Sequence, residues 1–170
     1  MTQVHVLDAG VLFSDWDKRH PNAEFVTTED VLAEVLNSRS GRRAESLMAA
    51  GRLRVDSPDL SVLEEVTRRA DEVGDSSSLS RTDLGLIAVA LCIHRNMPGA
   101  TLVSTDLAVL NTASHLGVRV LDPMKRLKRR IEWVYVCPAC GNKERMAPPD
   151  MACNVCGTKV RRRAAKRSTI

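Results

Sequence analysis

The sequence contains no membrane-spanning stretch: nowhere do the roughly 18 to 20 uncharged apolar residues of a spanning helix run together. Nor does the start, MTQVHVLDAG, place a basic segment ahead of a long apolar core, as an export signal does. A chain that stays soluble in the cytoplasm and avoids membranes is the expectation. There is no glycine-rich phosphate loop and no nucleophile elbow, which removes two common routes to phosphate binding and acyl transfer. The histidines His5, His20, His94 and His115 show no metal-ligand spacing, and each reads as a surface or satisfied core residue. No internal repeat or low-complexity tract appears. Disulfides are disfavoured as well. Four of the five cysteines form C-x-x-C hooks, which reduced intracellular thiols use for metal, and the fifth, Cys92, sits in an apolar run as a small packed side chain.

What is present is an unevenly divided charge. The net charge of +4 over 170 residues conceals a body, residues 1–124, with 12 Lys and Arg against 18 Asp and Glu, and an end, residues 125–170, with 13 against 3. The two parts therefore carry −6 and +10. A basic end on an acidic body points to a polyanionic partner, with nucleic acid first among them. A merely solvated charged end is the plainer alternative.

Short apolar runs alternate with helical patterns. Strands are expected at Val4–Leu7, Phe25–Thr27, Leu53–Val55, Thr101–Val103 and Arg119–Leu121. Helices are expected at about 28–37 with Thr28 as N-cap, 43–50, 61–73, from Ser80 through Ile93, and 106–116 with Gly117 as the stop. Ser80-Arg81-Thr82-Asp83 has capping-box spacing, and the apolar Leu84–Ile93 that follows reads as a central buried helix. This alternation predicts an α/β domain with a parallel sheet covered on both faces. Asp75-Ser76-Ser77-Ser78 reads as a mobile loop, and Pro123 closes the domain.

Cys137-Pro-Ala-Cys140-Gly and Cys153-Asn-Val-Cys156-Gly are two hooks 12 residues apart. Each places two thiolates on one tight turn, and together they complete a closed tetrahedral sulfur site suited to one structural zinc ion. Gly141 and Gly157 supply left-handed turns behind the hooks. Trp133 and Tyr135 just before the first hook either fill the small core of this module or stack on bases.

Asp8 and Asp106 each follow a predicted strand and begin a helix, so a parallel sheet would bring them to one edge. Helix capping is the alternative for each. Asp83 heads a buried helix, where its charge needs a partner or a cation. Glu34 falls outside the apolar stripe of Val31, Leu32, Val35 and Leu36 and reads, by periodicity, as a surface residue. If these acids meet, oxygen ligands select Mg²⁺ or Mn²⁺, which is the constellation of a metal-dependent nuclease.

The segments V-H-V-L-D-A-G at Asp8, T-E-D-V-L-A-E at Glu34, L-S-R-T-D-L-G-L-I-A-V-A-L at Asp83 and L-V-S-T-D-L-A-V-L-N at Asp106 resemble the four acidic motifs of PIN-domain ribonucleases. With a cysteine ribbon behind them, the chain resembles the NOB-type (Nin-one-binding) endonucleases of ribosome biogenesis in their compact archaeal form. The resemblance implies a PIN-like nuclease domain over 1–123, a basic connector over 124–132, a zinc ribbon over 133–160 and a basic tail over 161–170. It implies Asp8, Glu34, Asp83 and Asp106 as metal-binding acids, with Ser104 as the accompanying hydroxyl. Thr105 stands where relatives commonly carry a further Asp, and Asn111 matches a recurring Asn expected to tie its helix to the sheet. The implied function is a Mg²⁺- or Mn²⁺-dependent single-strand endoribonuclease that matures the 3′ end of small-subunit (16S) precursor rRNA. Its partners would be that rRNA, the pre-ribosomal small subunit and other assembly factors. A non-catalytic zinc-ribbon RNA-binding assembly factor is the alternative from another class, and a toxin-type PIN nuclease acting on tRNA or mRNA is a third.

Overall fold

Val4–Leu7 is buried at all four positions, as a strand covered on both faces requires, and it forms β1 at the centre of the larger sheet. The computed structural model describes residues 3–36 and 41–170. β2 (Glu24–Thr27), β3 (Leu53–Val55), β4 (Thr101–Val103) and β5 (Arg119–Leu121) complete a sheet ordered β3-β2-β1-β4-β5. Every pairing is parallel. The chain steps outward from β1 to β3 and then returns to lay β4 on β1's other side. The strand order therefore reverses between β1 and β4, and a crevice opens beyond their C-terminal ends.

The crossovers are α1 (Ala9–Leu12), α2 (Glu29–Leu36), α3 (Gly41–Ala49), α4 (Leu60–Val73), α5 (Arg81–Asn96) and α6 (Leu107–His115). The expected helix at 28–37 begins as predicted, with Thr28 Oγ1 accepting from the Val31 N–H at 3.3 Å; its expected last residue, Asn37, lies outside the described residues. α5 is buried at every position from Gly85 to Leu91, which matches its all-round apolar pattern. Gly117 stops α6 with φ 81°, a left-handed value that glycine accepts without strain.

A second, antiparallel sheet is made of β6 (Arg130–Val136), β7 (Lys143–Glu144) and β8 (Arg161–Ser168), in the order β7-β6-β8. Residues that composition marks as a connector and a basic tail thus supply strands: β6 begins at Arg130, and β8 pairs with it from Val136↔Arg161 to Arg130↔Ser168. The arginine-rich run carries no apolar alternation, so its strand comes from backbone pairing with a distant segment, which local pattern does not report. Tyr135, 1% exposed, fills the small core with Cys137, Cys153 and Val160, which decides its role in favour of packing.

The two sheets are fastened together. Asn111 on α6 pairs with the backbone of Ile131 in both directions, accepting at 2.8 Å and donating at 2.8 Å. The expected tie to its own sheet is instead a tie to the second one. Asp75, expected in a mobile loop, is 1% exposed, and Ser76–Ser78 form a single 3₁₀ turn. Its carboxylate accepts from Asn111 Nδ2 at 2.6 Å and Thr112 Oγ1 at 3.1 Å, and it pairs with Arg162 of β8. A serine-rich segment reads as solvated from composition, but a buried carboxylate with three partner atoms, on Asn111, Thr112 and Arg162, holds it in place. Gly74, at φ 74°, lies so close to Trp133 that an added Cβ would sit 2.9 Å from the Trp133 Cβ.

Candidate functional site

Asp8 leaves β1 at the strand-order reversal and caps α1, its Oδ1 accepting from the Ala9 N–H at 2.7 Å. Ser104 leaves β4 beside it and donates its hydroxyl to Asp8 Oδ2 at 2.5 Å, while the same Oγ accepts from the Asp106 N–H at 2.9 Å. Asp106 caps α6 through Oδ1, which accepts from Ala108 at 2.6 Å and Val109 at 3.4 Å. Asp83 closes the predicted capping box of α5: its Oδ2 accepts from the Ser80 N–H at 2.8 Å and hydroxyl at 2.7 Å. The capping alternative is therefore true of all three acids. It occupies one oxygen of each.

Burial raises the Asp8 pKa above its ordinary value; bonds from Ser104 and Ala9 oppose the rise, and the charges of Asp83 and Asp106 add to it. Asp8 and Asp106 are joined through the Ser104 hydroxyl, which bonds to both residues. Glu34 is different. It is exposed on α2, and among the described residues it makes no hydrogen bond or ion pair with Asp8, Asp83 or Asp106.

Thr105, between Ser104 and Asp106, packs against Gly10: an added Cβ on Gly10 would meet its Oγ1 at 2.5 Å. Arg126, read from sequence only as part of a basic connector, donates to the Thr105 backbone carbonyl. No local signal in the sequence joins these two residues.

Carboxylate oxygens are the donors that hard divalent ions take, so the acid set fits Mg²⁺ or Mn²⁺ by chemistry. Among the described residues, a set of three or more metal-ligand atoms mutually within 4.8 Å occurs only at the cysteines. More widely spaced carboxylates suit Mg²⁺, which keeps several waters and takes few protein oxygens directly.

Cys137, Cys140, Cys153 and Cys156 bring their sulfurs within 4.8 Å of one another. Contacts of 3.5 Å for Cys137–Cys156, 3.6 Å for Cys140–Cys153 and 3.5 Å for Cys140–Cys156 define the cluster. A tetrahedron with zinc–sulfur bonds of about 2.3 Å has edges of about 3.8 Å, so the cluster is close to the size zinc requires. The two hooks repeat one backbone pattern. Cys137 N–H donates to Asn142 at 2.9 Å and Gly141 to Cys137 at 3.0 Å; Cys153 N–H donates to Thr158 at 2.9 Å and Gly157 to Cys153 at 2.8 Å. Gly141 and Gly157 have φ of 74° and 72°, the left-handed turns expected behind each hook.

The profile of the PIN domain of ribonuclease matches residues 5–93. The chain is 33% identical over 156 residues to the endoribonuclease Nob1 of Pyrococcus abyssi, covering 92% of this chain and 91% of that protein. It is 30% identical over 159 residues to the endoribonuclease Nob1 of Archaeoglobus fulgidus, covering 93% and 89%. It is also 35% identical over 119 residues to ribonuclease VapC1 of Thermoplasma acidophilum, covering 69% of this chain and 58% of that protein. Among the described residues no helix is long and apolar enough to cross a membrane. A parallel-sheet domain with acids at its strand-order reversal, a cysteine cluster that fits a zinc ribbon, and near-full-length similarity to two archaeal enzymes lead to one assignment: the chain belongs to the Nob1 family of PIN-domain endoribonucleases.

Proposed function

We propose that this endoribonuclease matures the 3′ end of small-subunit (16S) precursor rRNA in the cytoplasm, with Mg²⁺ or Mn²⁺ held by Asp8, Asp83 and Asp106. The observation that supports the reading is the Ser104 hydroxyl, which bonds both the Asp8 carboxylate and the Asp106 N–H at the strand-order reversal, with the charge of Asp83 adding to the raised pKa of Asp8. Glu34 is included as a fourth acid on the family resemblance alone. When bound, the divalent ion supplies an activated water and charge neutralisation at the leaving oxygen.

The chain's own residues prepare that chemistry. Ser104 holds Asp8 by its hydroxyl, so the carboxylate meets substrate in one orientation. Burial keeps Asp8 short of solvent, so its negative charge is most strongly favoured when a cation is bound. Arg126, 43% exposed at its side chain and bonded to the Thr105 carbonyl, brings a positive charge beside Asp106 where a phosphodiester would lie.

We take residues 1–123 as the catalytic body, and the connector 124–132, ribbon 133–160 and tail 161–170 as its RNA-holding part. Cys137, Cys140, Cys153 and Cys156 hold a structural zinc ion there. The charge of +10 on residues 125–170 supports this division, since phosphate contacts give salt-dependent affinity without reading sequence. The pre-ribosomal small subunit and its assembly factors are the partners such an enzyme would meet. The test is cleavage, with Mn²⁺, of transcripts spanning the 3′ end of the small-subunit rRNA and of tRNA precursors, with products mapped to the nucleotide. Cuts at the mature rRNA end are expected. Cleavage confined to tRNA, or spread evenly along every transcript, would overturn the assignment of substrate.

A further inference from the structure

Next to the acid crevice lies a second cavity, of about 430 Å³, between the start of α6, the connector and the second sheet. Leu107 and Ala108 form its near wall, and Ala108 is the residue whose N–H binds Asp106 at 2.6 Å. The opposite wall is the Trp133 indole, over which the Arg162 guanidinium lies at 4.3 Å from the ring centroid. Arg126, Lys128, Arg129 and Arg167 add positive charge around it. The one acid in the lining, Asp75, is 1% exposed and neutralised by Arg162.

From this we infer that the cavity is a subsite for one unpaired nucleotide of the RNA strand, adjoining the scissile phosphate. The inference rests on the reading of Asp8, Asp83 and Asp106 as the cutting site. A cavity of this size lies near the lower end of those that hold small ligands, which suits a single splayed nucleotide and excludes a duplex. Bases unstacked from single-stranded RNA bind by stacking on aromatic rings and arginine planes. Trp133 and Arg162 already form such a stack, and a base would extend it. Lys128 and Arg129 are exposed at the rim, where the phosphates flanking that base would lie. Charge and stacking therefore converge beside Asp106.

The chain has two tryptophans, and Trp16 is 3% exposed in the core of the first domain. In the full chain carrying Trp16→Phe, Trp133 fluorescence reports on the cavity directly. If that variant does not fold, the difference between the unsubstituted chain and Trp133→Phe gives the same signal. The titrant is a single-stranded RNA pentanucleotide, with the same strand in duplex form as comparison and no divalent ion added, so that nothing is cut. Saturable quenching by the single strand, with the dissociation constant raised at least tenfold by Lys128→Glu plus Arg129→Glu, is expected. No quenching, equal quenching by the duplex, or indifference to the charge reversal would overturn the subsite. Cleavage with Mn²⁺ is measured on the same protein. Cutting without quenching removes the subsite and leaves the catalytic reading, whereas quenching without cutting supports the subsite and removes the catalytic reading.

Discussion

Ser104 and Asp8 lie 96 positions apart in sequence, yet the serine hydroxyl donates to the aspartate at 2.5 Å. Because β1 and β4 are neighbours in parallel register, the first polar residue beyond each strand arrives at the same edge. Ser104→Ala should leave the fold intact and lower cleavage by roughly 10- to 100-fold, the usual cost of losing a group that orients a metal ligand. Steady-state rates across a Mn²⁺ titration would show it, and a variant as active as the parent at every Mn²⁺ concentration would exclude the orienting role.

Asp8→Asn should act in opposite directions on activity and stability. Cleavage should fall by roughly 100-fold or more, as when a group that stabilises transition-state charge is removed. The Asp8 pKa is raised in the folded state, first by burial, so the folded protein holds its proton more tightly than the unfolded chain. Its contribution to stability is full below the ordinary value of 3.8 and is lost as pH rises through the raised value. Above that window the ionised, buried carboxylate is a net cost in the metal-free protein. Metal-free Asp8→Asn should therefore melt higher than the parent at neutral pH, and an unchanged or lower melting temperature would count against burial as the cause.

His5 provides a pH dependence of the opposite sign. It is 7% exposed among Trp16, His20 and Phe25, and neither ring nitrogen has a hydrogen-bond partner among the described residues. Burial, followed by the charge of His20, lowers its pKa from 6.5. Stability from a neutral His5 is present above 6.5 and is lost as pH falls through the lowered value. Urea unfolding midpoints at a series of pH values should drop across that range, and His5→Leu should flatten the drop.

Asn111→Ala should loosen the second sheet from the first. It strands the Ile131 N–H, leaves the Ile131 carbonyl with His115 Nε2 alone and removes one donor from Asp75. The expected loss is about 2–3 kcal/mol, the cost of leaving buried partners unsatisfied. Gly74→Ala should act at the same junction, since its Cβ would collide with Trp133 and its φ of 74° disfavours any side chain. Equilibrium unfolding would measure both losses, and a loss under 0.5 kcal/mol for Asn111→Ala, about the floor for ordinary surface changes, would show that the clasp is not stabilising.

Removing the zinc ion proposed for the cysteine cluster should damage one sheet and spare the other. Tyr135 packs against Cys137 and Cys153, so chelation should abolish its near-ultraviolet circular dichroism while the parallel sheet keeps its far-ultraviolet signal. Cys153→Ser should do the same without chelator. Affinity for RNA should fall more than the turnover of saturating substrate, measured as a KM rise with little change in kcat.

Several features were readable in the sequence because each depends on neighbours close along the chain. The Ser80–Asp83 capping box, the left-handed glycines behind the cysteine hooks and the five strands of the parallel sheet are set by spacing, propensity and hydrophobic period, and they form where that local chemistry places them. The arrival of Asp8 and Asp106 at one sheet edge, joined through Ser104, is half legible, since parallel strands share a C-terminal edge, while the order that makes β1 and β4 neighbours is a property of the whole sheet.

Tertiary structure alone decided the rest. Asp75 reads as a solvated loop residue until Asn111, Thr112 and Arg162 enclose it, and Arg161–Ser168 reads as a tail until β6 offers its backbone. Both depend on partners distant in sequence, 36 residues away for Asn111 and 87 for Arg162. The sequence by itself determined which side chains could bind metal and which end would attract a polyanion, because charge and ligand chemistry belong to residues singly. How the basic sheet is turned toward the acid crevice was decided only by folding, because it rests on buried hydrogen bonds whose two ends have no local relation.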